Sequence, residues 1–269
     1  MGVLNLTPDS FFDGGQYNAI DIALQQCEKM LVEGADFIDL GAYSSRPGAD
    51  HVDEDHEKKR LLPVLAELRK NFPEVLFSID TFRSSVARES IEMGAVMIND
   101  ISAGNLDQTM IPTVGQYNIP YIAMHMQGTP QTMQQHPSYT NIMDELIYFF
   151  SEKIATCKAA GIHDVIIDPG FGFGKSIEHN FTVLDQFEDF QQFNVPVLAG
   201  LSRKSMIYKS LGITAQDALN GTTALHAVAL LKKAQLLRVH DVKEAKECVD
   251  LLQQLPANFP TFIKNKPVG

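Results

Sequence analysis

The richest set of chemically useful side chains is a glycine-rich segment that directly follows an apolar run. It reads Asp168-Pro169-Gly170-Phe171-Gly172-Phe173-Gly174-Lys175. Alternating glycines permit backbone conformations closed to other residues and let a flat ligand lie against the chain. Their spacing fits neither a Walker A phosphate loop nor a GxGxxG motif. The segment instead favours a ring with paired N–H donors, held by the Asp168 carboxylate and stacked on Phe173. The structural alternative is that Asp168 stabilises a turn.

Further polar side chains end two neighbouring apolar runs. Asp80 closes one run, and Asn99-Asp100 closes the next. Several acids crowded at one place require a cationic or N–H-rich ligand, or a nearby lysine. Lys204, in the segment Gly200-Leu201-Ser202-Arg203-Lys204-Ser205, is the candidate lysine. A structural hydrogen bond is the simpler interpretation of any one of these residues, but together at strand ends they predict a ligand site.

The last apolar run ends in a basic pair. In Arg238-Val239-His240 the spacing of two places Arg238 and His240 on one face of a strand. A guanidinium beside an imidazole is suited to binding an anion such as a phosphate group. If the first and last runs are neighbours, the amide oxygen of Asn5 could bind Mg²⁺ there, together with substrate phosphates and water. An ion pair between Arg238 and a neighbouring acid is the alternative.

The fold must bring these residues together, because they are spread over most of the chain. Eight short apolar runs end in a polar or glycine residue about every 33 residues, close to one strand plus one helix of a (β/α)8 TIM barrel of ~250 residues. The predicted strands are 1–5, 36–41, 75–80, 95–100, 120–125, 164–168, 195–200 and 235–239. Enzymes of this architecture bind substrates where the strands end, so the polar strand ends should converge.

Helical patterns separate the predicted strands. They cover residues 19–33, 54–71, 83–93, 108–117, 139–160, 177–191, 215–233 and 242–255. This alternation predicts an α/β protein with a parallel sheet, and eight similar units favour a closed barrel over a doubly wound open sheet. No linker-like composition interrupts the repeat, so we expect one domain over residues 1–269. The charged segment with His51, Asp53, Asp55 and His56 is interpreted as a solvated helix start rather than a metal site.

The composition excludes several kinds of partner. With 33 acidic and 22 basic residues the net charge is −11, which argues against nucleic acid or an anionic membrane. No run reaches the ~20 apolar residues of a membrane span and no secretory signal is recognised, so we expect a cytoplasmic protein. The three cysteines, Cys27, Cys157 and Cys248, are widely spaced and predicted to be buried free thiols.

Two loops have the composition of active-site lids. Residues 7–15 combine Phe11 and Phe12 with acids and glycines, and residues 43–49 combine Arg46 with Pro47. Loops of this kind close over a substrate and exclude water. An ordinary surface loop is the alternative for both.

Taken in order, these segments resemble the motifs of the dihydropteroate synthases of folate biosynthesis. The resemblance is carried by Asn5-Leu6-Thr7-Pro8-Asp9-Ser10-Phe11, Ser45-Arg46-Pro47-Gly48, Ser78-Ile79-Asp80-Thr81, Ile98-Asn99-Asp100, His125-Met126-Gln127-Gly128, Asp168 to Lys175, Ser202-Arg203-Lys204-Ser205 and Arg238-Val239-His240-Asp241. Eight motifs in one order over nearly the whole chain are highly specific. The resemblance implies a transferase that condenses 6-hydroxymethyl-7,8-dihydropterin diphosphate with 4-aminobenzoate, with Mg²⁺ as cofactor.

The resemblance also implies a role for each matching residue. Asp80, Asn99, Asp168, Phe173 and Lys204 would hold the pterin, and Asn5, Arg238 and His240 the diphosphate, with Asn5 also binding Mg²⁺. Phe11, Ser45, Arg46, Pro47 and Ser205 would form the aminobenzoate site, which sulfonamides mimic in this family. The catalytic set would be Asp80, Asp168, Lys204 and Arg238. A homodimer through the helices after strands six to eight is the matching expectation for assembly.

The chain departs from the family pattern in two places. Where the family often reads Gly-Gly-Glu-Ser-Thr-Arg-Pro, this chain has Gly41-Ala42-Tyr43-Ser44-Ser45-Arg46-Pro47, so Tyr43 replaces a carboxylate while Ser45 keeps a hydroxyl. The usual residues before the first strand are not seen ahead of Met1, a difference expected to affect stability more than chemistry.

Two other functions are consistent with a pterin site. A pterin-dependent methyltransferase of the related barrel type would have little need for Asn5, Arg238 and His240 as a diphosphate site. A catalytically silent pterin-binding barrel would keep the pterin residues but lose the loops, and Tyr43 is the one feature that hints at it.

Overall fold

A computed structural model describes residues 1–6, 16–43, 52–130, 133 and 137–255 of the chain. Its strands are β1 (Gly2–Asn5), β2 (Phe37–Gly41), β3 (Leu76–Asp80), β4 (Met97–Asp100), β5 (Tyr121–Met124), β6 (Val165–Asp168), β7 (Leu198–Ala199) and β8 (Leu236–Leu237). Between and after them lie α1 (Gln16–Val32), α2 (Glu54–Asn71), α3 (Ser84–Glu92), α4 (Met110–Val114), α5 (Ile142–Ala159), α6 (Ile177–Asp185), α7 (Ser205–Leu211), α8 (Leu219–Leu231) and α9 (Val242–Leu252). The predicted alternation of strands and helices is confirmed.

The strands form a closed ring. β1 to β6 pair in chain order as one parallel sheet, and β7 pairs with β8. Parallel bridges join the two sheets on both sides, between Gly2 and Val239 and between Ile167 and Val197. The backbone N–H of Val3 also donates to the carbonyl of Val239 at 2.9 Å. Because β8 thus lies beside β1, the fold is the expected (β/α)8 barrel and not an open doubly wound sheet.

The strand register aligns the polar strand ends at one level. Asn5 lies opposite Gly41, Gly41 opposite Asp80, and Asp80 opposite Asn99. On the other side of the ring Asp168 ends β6, in register with β5. Parallel strands all point the same way, so these ends face a single rim of the barrel.

Alternate side chains along each strand pack on opposite faces. The main apolar core includes Ile38, Leu40 and Ile98 and lies between strands and helices. A separate small cluster of Met97, Ile122, Ile166 and Leu198 fills the ring. Strands buried on both faces are expected to read as continuous apolar runs, as these do.

Most predicted helices differ from the structure in their bounds, and two of the predicted helical segments have an additional helix next to them. The segment predicted as 177–191 is α6 followed by a 3₁₀ helix, Phe187–Phe193. A 3₁₀ helix brings residues three apart onto one side, and here it buries both Phe187 and Phe190. The segment predicted as 215–233 is α8, which begins at Leu219, and the additional helix α7 precedes it.

The charged segment before α2 starts a helix, as expected. Asp53 caps α2 by accepting a hydrogen bond from the backbone N–H of His56 at 2.9 Å. Acids at the first turn also interact favourably with the helix dipole. Glu54, Asp55 and Glu57 occupy that turn, and Arg69 and Lys70 occupy the last one.

The three cysteines agree with the sequence prediction. Cys27, Cys157 and Cys248 are free and buried. In the described part of the chain, no helix is both long enough and apolar enough to pass through a bilayer.

Candidate active site

A pocket opens at the rim where the strands end, and the predicted pterin-site and anion-site residues meet there. It is lined by Asp80, Asn99, Ile101, Met124, Asp168, Phe173, Gly200, Ser202, Lys204, Arg238 and His240. Its free space, with the open mouth included, is about 420 Å³. Residues separated by more than half the chain therefore line one pocket.

The period of two along each strand explains why polar side chains reach this pocket. Asn99 lies two residues after Met97, and Asp168 lies two residues after Ile166. Met97 and Ile166 belong to the cluster that fills the ring. Successive side chains alternate between the two faces of a strand, so Asn99 and Asp168 continue the same inner rows up to the rim.

The glycine-rich segment after β6 forms one wall of the pocket. Asp168 accepts a hydrogen bond through Oδ1 from the backbone N–H of Gly170 at 2.7 Å. Lys204 donates through Nζ to the carbonyl of Phe171. The same Nζ lies 4.5 Å from the centre of the Phe173 ring, a cation–π distance. A carboxylate, an ammonium group and an aromatic face are thus arranged around one space.

Arg238 connects the pocket to two carboxylates from other strands. Its Nε donates to Asp39 Oδ2 at 2.6 Å, and its Nη2 donates to Asp80 Oδ2 at 2.7 Å. Asn99 Nδ2 donates to the same Asp39 oxygen at 3.0 Å. The ion pair weighed as an alternative for Arg238 is therefore present. Because Arg238 also lines the pocket, the ion pairs orient the guanidinium at the site rather than remove it.

His240 is held by the loop after β7. The hydroxyl of Ser202 accepts the backbone N–H of His240 at 3.2 Å and lies 3.1 Å from His240 Nδ1. Since that hydroxyl already accepts one hydrogen, it can donate its own hydrogen to Nδ1. In that arrangement Nε2 carries the imidazole hydrogen and can donate to an anion.

Burial dominates the electrostatics of the pocket. It raises the pKa of Asp80 to about 7, although Arg238 opposes the shift. Burial also raises the pKa of Asp168, against the opposing charge of Lys204. The pKa of Lys204 falls to about 8 through burial, with Asp168 acting in the other direction. Shifted acids and bases that face one pocket are typical of functional sites.

Comparison with known proteins shows the family. Residues 1–240 match the family model described as pterin binding enzyme. The curated dihydropteroate synthase of Escherichia coli strain K12 is 41% identical over 255 residues, which cover 94% of this chain and 90% of that protein. The chain belongs to the dihydropteroate synthase family.

Solved structures of the dihydropteroate synthase family have the same fold as this chain. The Yersinia pestis dihydropteroate synthase with a sulfonamide drug complex is 41% identical, with a TM-score of 0.88 over 94% of this chain and 92% of that chain. The Thermus thermophilus enzyme in complex with 4-aminobenzoate is 37% identical, with a TM-score of 0.85 over 95% and 93%. The similarity thus extends over nearly the entire length of these synthases.

Some residues singled out in the sequence lie away from the pocket. Asp100 is fully buried and accepts hydrogen bonds from the backbone N–H groups of Ser102 and Gly104 and from the hydroxyl of Tyr121. The expectation that Asp100 joins the acids at the rim is therefore wrong. As the immediate neighbour of Asn99 it points to the opposite face of β4, where it holds the following turn.

The remaining candidates of the dihydropteroate synthase pattern divide into two groups. Asn5 ends β1, and Ser205 begins α7 directly after Lys204, but among the described residues neither lines the pocket. Phe11, Ser45, Arg46 and Pro47 lie outside the described residues.

Within the described residues, no three His, Cys, Asp or Glu side chains form a metal cluster. An amide oxygen such as that of Asn5 is a ligand type that Mg²⁺ accepts when substrate phosphates and water supply the other ligands.

Asp39 is a further site residue, which the sequence pattern alone does not predict. It is 0% exposed and pairs with Arg238 and Asn99. Its other oxygen, Oδ1, is buried with no hydrogen-bond partner in the described part of the protein. The available signal was a single acid inside the apolar run Phe37-Ile38-Asp39-Leu40. A lone acid in a strand buried on both faces requires a partner, and the barrel interior supplies Arg238.

Tyr43 stands where the dihydropteroate synthase pattern often has a carboxylate. The Tyr43 side chain is buried, and its ring meets the ring of Phe82 edge to face at 5.0 Å. The guanidinium of Arg83 lies 5.5 Å from the Tyr43 ring and 4.7 Å from the Phe82 ring, and it pairs with the buried Glu57. In this chain Tyr43, Phe82 and Arg83 thus form an aromatic cluster around a cation.

Proposed function

We propose that this chain is a dihydropteroate synthase, which transfers the pterinylmethyl group of 6-hydroxymethyl-7,8-dihydropterin diphosphate to the amine of 4-aminobenzoate. The products are 7,8-dihydropteroate and diphosphate. Membership of the family supports the reaction. The observation that carries the assignment to this site is the single pocket in which Asp80, Asn99 and Asp168 lie together with Lys204 and Arg238.

The pterin is assigned to the inner part of the pocket. A pterin presents an aminopyrimidine edge with adjacent N–H donors, which matches a carboxylate acceptor such as Asp168. Asn99 can both donate and accept, and Lys204 can donate to the ring carbonyl or a ring nitrogen. Phe173 provides an aromatic face for the flat ring. Bound N–H donors would favour the charged form of Asp80, whose pKa is raised in the free protein.

The diphosphate is assigned to Arg238 and His240, with Asn5 nearby on β1. Arg238 remains a cation because Asp39 and Asp80 raise its pKa, outweighing the effect of burial. His240 donates through Nε2 when Ser202 bonds to Nδ1. Asn5 would hold Mg²⁺ through its amide oxygen, and the ion would neutralise charge on the leaving diphosphate when bound.

The reaction requires a positive carbon to be stabilised. The bond between the pterin methylene carbon and the diphosphate oxygen breaks, and the bond to the aminobenzoate nitrogen forms. Asp80 and Asp168 provide a fixed negative field around the pterin ring, which stabilises charge that develops on the methylene carbon. The amine of 4-aminobenzoate is neutral at pH 7, so it attacks without a strong base and then loses a proton to water. Phe11, Ser45, Arg46, Pro47 and Ser205 are proposed to form the aminobenzoate site.

The proposal includes a homodimer in the cytoplasm. Leu231 on α8 and Leu251 on α9 are exposed apolar side chains on the helices expected at the interface. Free buried thiols are consistent with a reducing compartment. A net charge of −11 favours solubility of the protein. Light scattering of the purified protein would give twice the monomer mass if the dimer exists and 29.8 kDa if it does not.

A two-substrate assay tests the function. The protein is incubated with the pterin diphosphate, 4-aminobenzoate and Mg²⁺, and both 7,8-dihydropteroate and diphosphate are quantified. We expect equal amounts of the two products, and about a 100-fold or greater loss of kcat/KM in Asp80→Asn and in Arg238→Gln. Absence of dihydropteroate from the wild type, or wild-type kcat/KM in both variants, would refute the assignment. Binding of 4-aminobenzoate only in the presence of diphosphate would also separate a synthase from a pterin-dependent methyltransferase.

A further inference from the structure

The turn from Gly170 to Phe173 fixes several pterin-site groups at once. The backbone N–H of Gly170 donates to Asp168, and the carbonyl of Phe171 accepts a hydrogen bond from Lys204 Nζ. The Phe173 ring lies 4.5 Å from the same Nζ. The turn is closed by a bond from the N–H of Phe173 to the carbonyl of Gly170 at 3.1 Å. A shift of this turn would therefore move Asp168, Lys204 and the aromatic face relative to one another.

Lys175 holds that turn by two hydrogen bonds and is not among the residues that line the pocket. Its Nζ donates to the carbonyl of Gly170 at 3.0 Å and to the carbonyl of Phe173 at 3.1 Å. The same Nζ lies 3.0 Å from Nδ1 of His125, in the loop after β5. The side chain is 3% exposed. An ammonium group has three donors, and here each has an acceptor.

His125 gives this lysine a rigid partner. Burial and the charge of Lys175 lower the pKa of His125 to about 2, so the imidazole is neutral. Nδ1 is then the acceptor for Lys175, and the ring hydrogen is on Nε2. The His125 ring packs edge to face against Phe149 at 4.8 Å. Lys175 therefore connects the turn to a side chain that packing holds in place.

The backbones of the two loops also meet directly. Gly170 has φ +70°, and a Cβ at this position would lie 2.0 Å from the carbonyl oxygen of His125. Gly174 has φ +64°, and a Cβ there would lie 2.6 Å from the carbonyl oxygen of Gln127. Such close approach is open only to glycine. The two loops are therefore in direct backbone contact, and Lys175 satisfies two buried carbonyls of the turn, those of Gly170 and Phe173.

We infer that Lys175 is a positioning residue for pterin binding: it joins the Gly170–Phe173 turn to His125 and so sets the arrangement of Asp168, Phe173 and Lys204. This inference rests on the proposed function for the identity of the ligand. Burial lowers the pKa of Lys175 to about 7, with Asp168 opposing the shift. The site thus retains a costly buried amine where an apolar side chain would leave three acceptors without donors.

Lys175→Met tests the inference, with Lys232→Met as the matched control. Lys232 pairs with Asp185 and Glu188 near the end of α8 and does not line the pocket. The dissociation constant of 6-hydroxymethylpterin is measured by fluorescence, together with the KM of each substrate and kcat. We expect Lys175→Met to weaken pterin binding and raise the KM for the pterin diphosphate by about tenfold. The KM for 4-aminobenzoate should change less than twofold, and Lys175→Arg should recover part of the pterin affinity.

A folded Lys175→Met protein with unchanged pterin affinity would overturn the inference, and so would equal losses for both substrates. If Lys175→Met does not fold, His125→Leu removes one of the three acceptors and is measured in its place. We expect His125→Leu to weaken pterin binding about threefold, which is less than the effect of losing a full hydrogen bond. Unchanged pterin affinity in this variant would also overturn the inference. Pterin binding needs no turnover, so this result is independent of whether the wild type makes dihydropteroate.

Discussion

Arg238, which follows β8, donates through Nη2 to the carboxylate of Asp80, at the end of β3, across a distance of 2.7 Å. These strands are not neighbours in the ring, because β1 and β2 lie between them. The contact therefore crosses the barrel mouth. It joins a residue proposed to bind the diphosphate to one proposed to bind the pterin, so the two halves of the substrate site are electrostatically connected.

Removing the guanidinium should weaken the fold as well as the activity. Arg238→Met leaves the fully buried Asp39 and the neighbouring Asp80 without their cation. Breaking a buried ion pair from one side costs about 3 kcal/mol or more, and we expect that loss in the free energy of unfolding measured with urea. Lys243→Met removes an exposed pair with Glu247 and is the control, expected to cost less than about 0.5 kcal/mol. Equal stability of the two variants would contradict the described geometry.

Pterin binding should weaken in acid through Asp80. Burial raises the pKa of this carboxyl to about 7, so the charged form that accepts N–H donors is lost as the pH falls below that value. The dissociation constant of 6-hydroxymethylpterin should rise about tenfold per pH unit between pH 6.5 and 5. Asp80→Asn should bind weakly at every pH in this range, with no such slope. A wild-type profile that is flat from pH 7.5 to 5 would rule out Asp80 as the titrating acceptor.

The hydroxyl of Ser202 should matter for the diphosphate and not for the pterin ring. Ser202→Ala removes the partner of His240 Nδ1, so the imidazole hydrogen is no longer directed to Nε2. We expect the KM for the pterin diphosphate to rise about 5- to 10-fold, the effect of losing one hydrogen bond. The affinity for 6-hydroxymethylpterin, which has no phosphate, should stay within twofold of wild type. Parallel losses for both ligands would show that Ser202 acts through general packing.

The sequence predicts the ring and most of the pocket because both depend on local patterns. Short apolar runs that alternate with helical patterns are typical of parallel strands buried on both faces, and eight such units predict closure of the ring. The bounds of α2 agree with the prediction, because Asp53 caps one end and basic residues end the other. Asp168, Asn99 and Arg238 are each the polar end of such a run, so their convergence follows from the fold class.

The features that the sequence did not predict depend on contacts between distant segments. Asp39 was missed because its partner Arg238 is 199 residues away. The 3₁₀ helix Phe187–Phe193 replaces part of a predicted α-helix, and its Phe187 stacks on Phe171 of the glycine-rich segment, at 6.1 Å between ring centres. In the sequence Lys175 is only the last residue of the glycine-rich segment. Its three hydrogen-bond acceptors, which the structure shows, identify it as a residue that holds the turn in place.

Stability should fall in acid because of His226, outside the pocket. The imidazole is 1% exposed, and burial lowers its pKa to about 4. Between about pH 6.5 and 4 the unfolded chain binds a proton that the folded protein does not, so unfolding is favoured as the pH falls. From pH 7.5 to 5 the wild type should lose about 2 kcal/mol more than His226→Leu. His163→Gln, at an exposed histidine, is the control, and a wild-type slope equal to that of His226→Leu would contradict the assignment.

The most direct test compares the two acids at opposite ends of β6. Asp168 ends the strand at the proposed active rim, whereas Asp164 precedes the strand and is exposed at the other end. The rate of 7,8-dihydropteroate formation is measured for Asp168→Asn and Asp164→Asn with both substrates at saturation. A synthase site at the carboxyl ends of the strands predicts at least about a 100-fold loss for Asp168→Asn and wild-type rates for Asp164→Asn. Wild-type rates in Asp168→Asn would contradict this placement of the active site.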